Sequence, residues 1–216
     1  MSQIFCERIL FDLDGVLVDS LPIVERILRD WAAEQGLDGD DAVARSHGLR
    51  DIDLIALIAP HLNAAHEARV IAEREERDFD GIRPIPGAPA LLAALPADRW
   101  GVVTSGTRRV ARGRLAAAGL PEPGVLLAAE DFDRGKPDPE GYLKGAAALG
   151  TAPGCCLVIE DAKAGVQAAL AAGMHCIGLG DGLSGLPDGT LAAAVKDLTQ
   201  VQVSPLDEGL LLRVVR

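Results

Sequence analysis

Short apolar runs alternate with longer Ala- and Leu-rich stretches along most of this chain. The runs are Arg8-Ile9-Leu10-Phe11, Trp100-Gly101-Val102-Val103-Thr104, Val125-Leu126-Leu127-Ala128, Cys156-Leu157-Val158-Ile159 and His175-Cys176-Ile177-Gly178. A run of this kind, with no polar alternation through it, predicts a strand buried on both faces, as in the parallel sheets of α/β proteins. Between the runs, residues 108–118, 139–149 and 162–172 are long enough for helices. Each stops at a glycine (Gly119, Gly150 or Gly173), the residue that most readily turns the chain out of a helix. The pattern predicts a doubly wound α/β core on a parallel sheet.

Residues 20–84 break this alternation, with helical patterns and no strand-like run. Ser20 is placed to cap a first helix that has Pro22 in its opening turn and Ile23, Ile27 and Trp31 on one face. Ile52, Ile55 and Ala59 mark a second helix, ended by Pro60. A third carries the i,i+4 pair Glu73 and Arg77, with residues 67–74 as its solvated face. Turn-rich flanks bracket the stretch, Asp19-Ser20 before it and Arg83-Pro84-Ile85-Pro86-Gly87 after it. The expected organisation is a core made of residues 1–18 and 86–216, with an all-helical cap, 19–85, inserted after the first strand.

Composition narrows the function classes. Hydrophobic residues make up 49% and charged residues 25% of the 216, which supports a packed core and excludes disorder over most of the length. The net charge of −11 argues against a general nucleic-acid binder or a protein held on anionic lipid, since both rely on clustered Lys and Arg. An enzyme for anionic substrates needs a local positive pocket within such a field. No apolar run approaches the roughly 18 residues of a membrane span. The segment Met1-Ser2-Gln3-Ile4-Phe5-Cys6-Glu7-Arg8 lacks the basic start and apolar run of a signal peptide, so a cytoplasmic protein is expected. Cys6, Cys155, Cys156 and Cys176 form no Cys-x-x-Cys pair and have no His at zinc-finger spacing. They read as buried small hydrophobes, unpaired in a reducing compartment.

The chemistry gathers where the runs end. The first continues into Asp12-Leu13-Asp14-Gly15. In extended chain Asp12 and Asp14 point the same way. Two such carboxylates persist at the end of a buried strand only with a cation or a shared proton. Taken alone, the segment also fits a polar strand end followed by a glycine turn. After the second run, Thr104, Ser105 and Gly106 put hydroxyl and backbone donors at a helix start, suited to an anionic oxygen. Gly135-Lys136-Pro137-Asp138-Pro139 presents Lys136 rigidly beside another helix start, and Glu160-Asp161 follows the fourth run. Ligand sites in open α/β sheets lie outside the carboxyl ends of the strands. Four carboxylates, a lysine and two hydroxyls are therefore expected at one sheet edge, and hard oxygen ligands of that kind, with a phosphate, suit Mg²⁺.

In order along the chain, Asp12-Leu13-Asp14-Gly15-Val16-Leu17, Thr104-Ser105-Gly106, Lys136-Pro137 and Glu160-Asp161-Ala162-Lys163-Ala164-Gly165 resemble the four motifs of the haloacid dehalogenase superfamily. The resemblance covers nearly the whole chain. It implies a Rossmann-like core with a helical cap, and an aspartyl-phosphate mechanism. Asp12 would be the nucleophile, and Asp14 would protonate the leaving oxygen and later activate water. Asp12, the Asp14 backbone carbonyl and Asp161 would hold Mg²⁺, with Glu160 close by, while Thr104, Ser105 and Lys136 would hold the phosphoryl oxygens. Dehalogenases of the superfamily do not keep the second aspartate, which is present here as Asp14. Phosphonatases use a cap lysine, whereas the lysines of this chain are Lys136, Lys144, Lys163 and Lys196. β-Phosphoglucomutase resembles the core, but carries a His on its first cap helix where Val24 aligns.

Within the superfamily the chain is most similar to glycerol-3-phosphate and 2-deoxyglucose-6-phosphate phosphatases, hydrolases of small sugar and polyol phosphates. That similarity rests on Ser46-His47-Gly48-Leu49-Arg50-Asp51-Ile52-Asp53, on residues 100–108 (WGVVTSGTR), and on residues 135–145. Phosphoglycolate phosphatases match less well at the cap segment. Matched as a set, His47, Arg50 and Asp53 become candidate contacts to substrate hydroxyls, although Arg50 and Asp53 also fit a plain i,i+3 pair. A sugar phosphomutase, a phosphoglycolate phosphatase and a catalytically silent binding partner are the alternatives. The implied partner is a small-molecule phosphate ester, not nucleic acid or membrane, and the chain is expected to be a monomer or homodimer. Gly180-Asp181-Gly182-Leu183-Ser184-Gly185 matches the dinucleotide fingerprint, but Leu186-Pro187-Asp188-Gly189 follows where a helix would have to begin, so it reads as a loop. Asp131 and Asp133 read as residues that shape the loop before Lys136.

Overall fold

The computed structural model describes residues 2–215. β1 (Ser2–Cys6) is followed at once by β2 (Arg8–Phe11), yet the two strands join different sheets. Beyond β2 the chain leaves through β3 (Val18–Asp19) and returns through β4 (Arg83–Pro84). These two pair antiparallel, with Val18 opposite Pro84 and Asp19 opposite Arg83. Between them lie α1 (Leu21–Glu34), α2 (Gly39–Ser46), α3 (Asp51–Ile58) and α4 (Ala64–Glu75). The chain then runs through α5 (Ala88–Ala93), β5 (Trp100–Val103), α6 (Arg108–Ala117), β6 (Val125–Leu127) and α7 (Glu140–Ala148). It continues through β7 (Cys156–Glu160), α8 (Lys163–Ala171), β8 (His175–Leu179) and β9 (Ala193–Val195). It closes with β10 (Val201–Leu206) and β11 (Gly209–Val214).

The main sheet is parallel throughout, in the order β6-β5-β2-β7-β8-β9. All five sequence-predicted runs are strands in it, and helices flank it as a doubly wound fold requires. Side chains alternate across the sheet, so Ile9, Phe11, Leu157 and Ile159 enter one apolar layer while Leu10, Val158 and Cys156 enter the other. All are buried, which makes the sheet a rigid platform. Phe11 pairs with Val102 on β5 and with Ile159 on β7. The carboxyl ends of these three strands are thereby level, and Asp12, Thr104 and Glu160 emerge at one edge.

Several elements differ from the sequence expectation. β1, β11 and β10 form a separate antiparallel sheet, and β9 extends the main one. The helical stretch contains α2 as an additional helix, begun by Asp38, whose Oδ1 accepts from the backbone N–H groups of Asp40 and Asp41. Ser20 does sit at the N-cap of α1, but its hydroxyl makes no capping bond and turns to Asp14 instead. On α3, Ile55 is buried and Ile52 is exposed. The four cysteines are free; Cys6, Cys156 and Cys176 are buried as expected, while Cys155 is only half-buried. No helix among the described residues is long and apolar enough to cross a membrane.

Candidate active site

Register alone brings Asp12 and Glu160 to adjacent strand ends, and the loop before α7 adds Lys136 between them. The ammonium of Lys136 donates to Asp12 Oδ1 at 2.5 Å and to Glu160 Oε1 at 2.6 Å. Glu160, fully buried, also accepts from the Tyr142 hydroxyl at 2.8 Å, and its Oε2 accepts from the N–H groups of Asp161 (3.0 Å) and Ala162 (3.1 Å). Its acceptor capacity is therefore spent on orienting Lys136 and the start of α8. Two glycines make room for this packing. A Cβ at Gly165 would lie 1.6 Å from Glu160 Oε1, and one at Gly15 would lie 2.1 Å from Asp161 Oδ2. Gly15 moreover has φ +79°, a conformation that side chains disfavour.

Carboxylate oxygens of Asp12, Glu160 and Asp161 lie within 4.8 Å of one another. Burial pushes the Asp12 carboxyl up to about 7; Lys136 opposes this, while Glu160 and Asp14 add to it. Burial likewise pushes Asp161 up to about 8, with Glu160 and Asp12 adding their repulsion. For Lys136 burial acts downward, but Asp12 and Glu160 outweigh it and hold the ammonium well above its ordinary range. Three carboxylates around one ammonium leave excess negative charge, and every donor is a hard oxygen. That combination fits a divalent cation such as Mg²⁺, with Asp12 and Asp161 the carboxylates that keep free lone pairs for it.

Asp14 has a different set of partners. Its Oδ1 accepts from the Ser20 hydroxyl at 2.5 Å and forms an ion pair with Arg114 Nη1 at 2.8 Å. Arg114, on α6, reaches with Nη2 to Glu75 Oε1 on α4, also at 2.8 Å. Arg114 and Glu75 are both buried, so this ion-pair chain joins the sheet domain to the helical segment out of contact with solvent. Neither residue stands out in the sequence, where the neighbouring turns of that helix read as a solvated face.

A cavity of about 90 Å³ separates the strand ends from the helical segment. Asp12, Asp14, Thr104, Ser105 and Asp161 line it from the sheet side. From the helical side come His47, Asp51 and Glu75, together with the apolar Val24, Leu28 and Ile71. Pockets for drug-sized ligands span roughly 300–1,000 Å³, so the enclosed space here is small. Thr104 is buried, and its Oγ1 accepts from the Gly106 N–H at 3.1 Å. The Ser105 hydroxyl donates to the Gly48 carbonyl across the gap at 2.8 Å. Gly48 approaches the start of α8 so closely that a Cβ there would meet Ala162 Cβ at 3.0 Å.

The candidate hydroxyl contacts divide. His47 is exposed at the rim of the cavity. Arg50 and Asp53 do not line it. Arg50 is bound to Asp53 at 2.7 and 3.0 Å and donates to the carbonyls of Phe132 (2.8 Å) and Asp133 (2.9 Å). Gly135 lies directly beneath, where a Cβ would come within 2.5 Å of Asp53 Oδ2. The pair therefore fastens the start of α3 to the loop that carries Lys136. Asp51, between them in sequence, is the residue of this trio that faces the cavity. Residues 180–185 form a loop with no helix after it, and Gly182 packs against the backbone of Asp161. Asp131 accepts from Arg108 and from the Ala128 N–H, as befits a loop-shaping residue.

Comparison with known proteins agrees with this geometry. The model of the haloacid dehalogenase-like hydrolases matches residues 7–173. Hexitol phosphatase A of Escherichia coli is 45% identical over 183 residues, covering 80% of this chain and 82% of that protein. Glycerol-1-phosphate phosphohydrolase 2 of Saccharomyces cerevisiae is 36% identical, covering 79% and 73%. Among solved structures, β-phosphoglucomutase from Clostridium difficile superposes with a TM-score of 0.80 over 91% of this chain and 93% of its own, at 23% identity, a likeness of fold. With its family model spanning both strand-end carboxylate pairs and the lysine between them, this chain belongs to the haloacid dehalogenase-like hydrolases.

Proposed function

We propose that the protein is a Mg²⁺-dependent phosphomonoesterase that hydrolyses phosphate esters of small sugars or polyols, with the phosphoryl group carried transiently on Asp12. The observation that carries this reading is the division of labour between two aspartates facing one small cavity. Asp12 is bound to Lys136, and Asp14 is bound to Ser20 and Arg114. Attack of the Asp12 carboxylate on phosphorus forms the acyl phosphate as the ester oxygen leaves, taking a proton from Asp14. Asp14 then accepts a proton from the water that attacks the acyl phosphate, releasing inorganic phosphate and regenerating Asp12. Thr104, Ser105 and Lys136 are the donors for the transferring oxygens, where charge must be neutralised. Mg²⁺, held by Asp12, Asp161 and the Asp14 backbone carbonyl, would offset the repulsion between Asp12 and a phosphate dianion. Glu160 serves by fixing Lys136. Residues 19–85 act as a cap that keeps bulk water from the acyl phosphate. The names of the hexitol and glycerol phosphate relatives support the substrate class.

Incubation with Mg²⁺ and either a hexitol phosphate or a glycerol phosphate is expected to release inorganic phosphate stoichiometrically. An isomeric sugar phosphate formed without net phosphate release would show a mutase instead.

The Arg50 bridge carries its own expectation. Arg50→Ala leaves two carbonyls and Asp53 without their donor, and is expected to destabilise the fold by about 2 kcal/mol. Because Arg50 lies outside the cavity, the accompanying loss of kcat/KM should be equal for a polyol phosphate and for p-nitrophenyl phosphate. A loss confined to the polyol ester would instead place Arg50 against the substrate.

A further inference from the structure

We propose that Asp51 selects the leaving group, admitting uncharged, hydroxyl-rich alcohols and rejecting alcohols that carry a second anionic group. This rests on the phosphatase reading and sharpens it. The cavity has two ends. At the sheet side are the groups that take the transferring phosphoryl, and at the helical side the leaving alcohol meets Asp51 and Glu75.

The charges around that second end are unequal. Arg114 is the guanidinium there, and both of its amino groups are already engaged, one by Asp14 and one by Glu75, at 2.8 Å each. Asp51 faces the same three groups but, among the described residues, has no hydrogen-bond or ion-pair partner. It is a partly buried residue that lines the cavity. Burial first, and then Glu75, push its proton affinity well above the usual carboxylate range, while Arg114 opposes. By position alone, that end of the cavity sets three carboxyl groups, Asp14, Asp51 and Glu75, against the single guanidinium of Arg114.

A polyol relieves this arrangement. Each hydroxyl is a donor for Asp51 or for the remaining lone pairs of Glu75. A terminal carboxylate or second phosphate would face Asp51, Glu75 and Asp14 with the Arg114 guanidinium already paired. Like-charge juxtaposition of this kind is a strong discriminator because it penalises the wrong ligand rather than merely failing to reward it. The apolar wall of Val24, Leu28 and Ile71 gives an anion no hydration in compensation.

Two substrate pairs isolate the effect, each changing a terminal CH₂OH to a carboxylate: glycerol 3-phosphate against 3-phosphoglycerate, and glucitol 6-phosphate against 6-phosphogluconate. With Mg²⁺ present, wild-type kcat/KM is expected to favour the uncharged member of each pair on the order of tenfold or more. Asp51→Asn and Asp51→Ser are both residues accepted at a helix start, and both should bring the ratio towards unity. Thermal unfolding checks that the variants fold. A wild-type ratio near unity, or a ratio unchanged in both variants, overturns the proposal while hydrolysis of p-nitrophenyl phosphate leaves the phosphatase reading standing. No hydrolysis of any of these esters overturns that reading and this inference with it.

Discussion

Asp12→Asn is expected to abolish turnover while leaving the protein folded. The amide is nearly isosteric with the carboxylate but is a poor nucleophile, so no acyl phosphate forms. Folding survives because Lys136 keeps Glu160 as its second partner at 2.6 Å, and because the substitution removes one charge from a group of carboxylates that repel each other. Asp14→Asn provides the contrast. It leaves the nucleophile in place and removes the proton donor, so kcat should fall by about 10²–10⁴-fold, the usual span of general acid–base catalysis. Acid quenching during turnover of a labelled phosphate ester gives an independent readout, with phosphate bound covalently to the wild-type chain and absent from Asp12→Asn. Near-wild-type turnover by Asp12→Asn would remove Asp12 from the role of nucleophile.

The legibility of these residues in the sequence follows from where each stands in the fold. Strands β2, β5 and β7 are covered on both faces, so each is an unbroken apolar run, and a residue just past the run falls at the sheet edge. Asp12, Thr104 and Glu160 were therefore visible in the sequence as strand-end groups. The antiparallel sheet was not, because its signal is alternation rather than a run. Leu210, Leu212 and Val214 are buried while Arg213 between them is exposed, and Pro205 with Asp207-Glu208 interrupts the pattern on the neighbouring strand. Helix α2 was hidden because it buries little more than Ala42 and Val43; the acidic start Asp38-Gly39-Asp40-Asp41 was its one clear marker.

The polar residues of the helices were harder still. Glu75 and Arg114 are 39 positions apart, and each follows charged or Ala-rich sequence that resembles an ordinary solvated face. What makes them a buried pair is the docking of α4 over α6, a tertiary event with no local trace. Asp51 illustrates the same limit on a smaller scale. Arg50 and Asp53 are three apart and share a helix face, so they are readable as a pair, whereas residues two apart on a helix diverge by about 200°. The pattern shows that Asp51 and Asp53 point differently. Which of the two faces the cavity depends on how α3 is rotated, and the Arg50 bridge to Phe132 and Asp133 decides that rotation.

Removal of Mg²⁺ is expected to stop catalysis and to leave a protein whose stability falls as pH rises. Without a cation, Asp12 titrates near 7 and Asp161 near 8 in the folded protein, against an ordinary 3.8. Asp51 and Glu75 are displaced in the same direction. Between the ordinary and the raised values the folded state binds more protons than the unfolded one, so stability declines as pH rises through this window. The metal-free protein should accordingly lose thermal stability from pH 6 to pH 8. A bound divalent cation replaces those protons with a stronger positive charge. Added Mg²⁺ should therefore raise Tm most at pH 8 and flatten the slope, with about 2.7 kcal/mol of added stability when the ion is present at a hundred times its Kd. Turnover should disappear in excess chelator and return with Mg²⁺. Undiminished hydrolysis by a metal-free preparation would show that Lys136 alone suffices to hold Asp12 beside a phosphate dianion, and a Tm that ignores Mg²⁺ at pH 8 would show that Asp12 and Asp161 do not hold the ion.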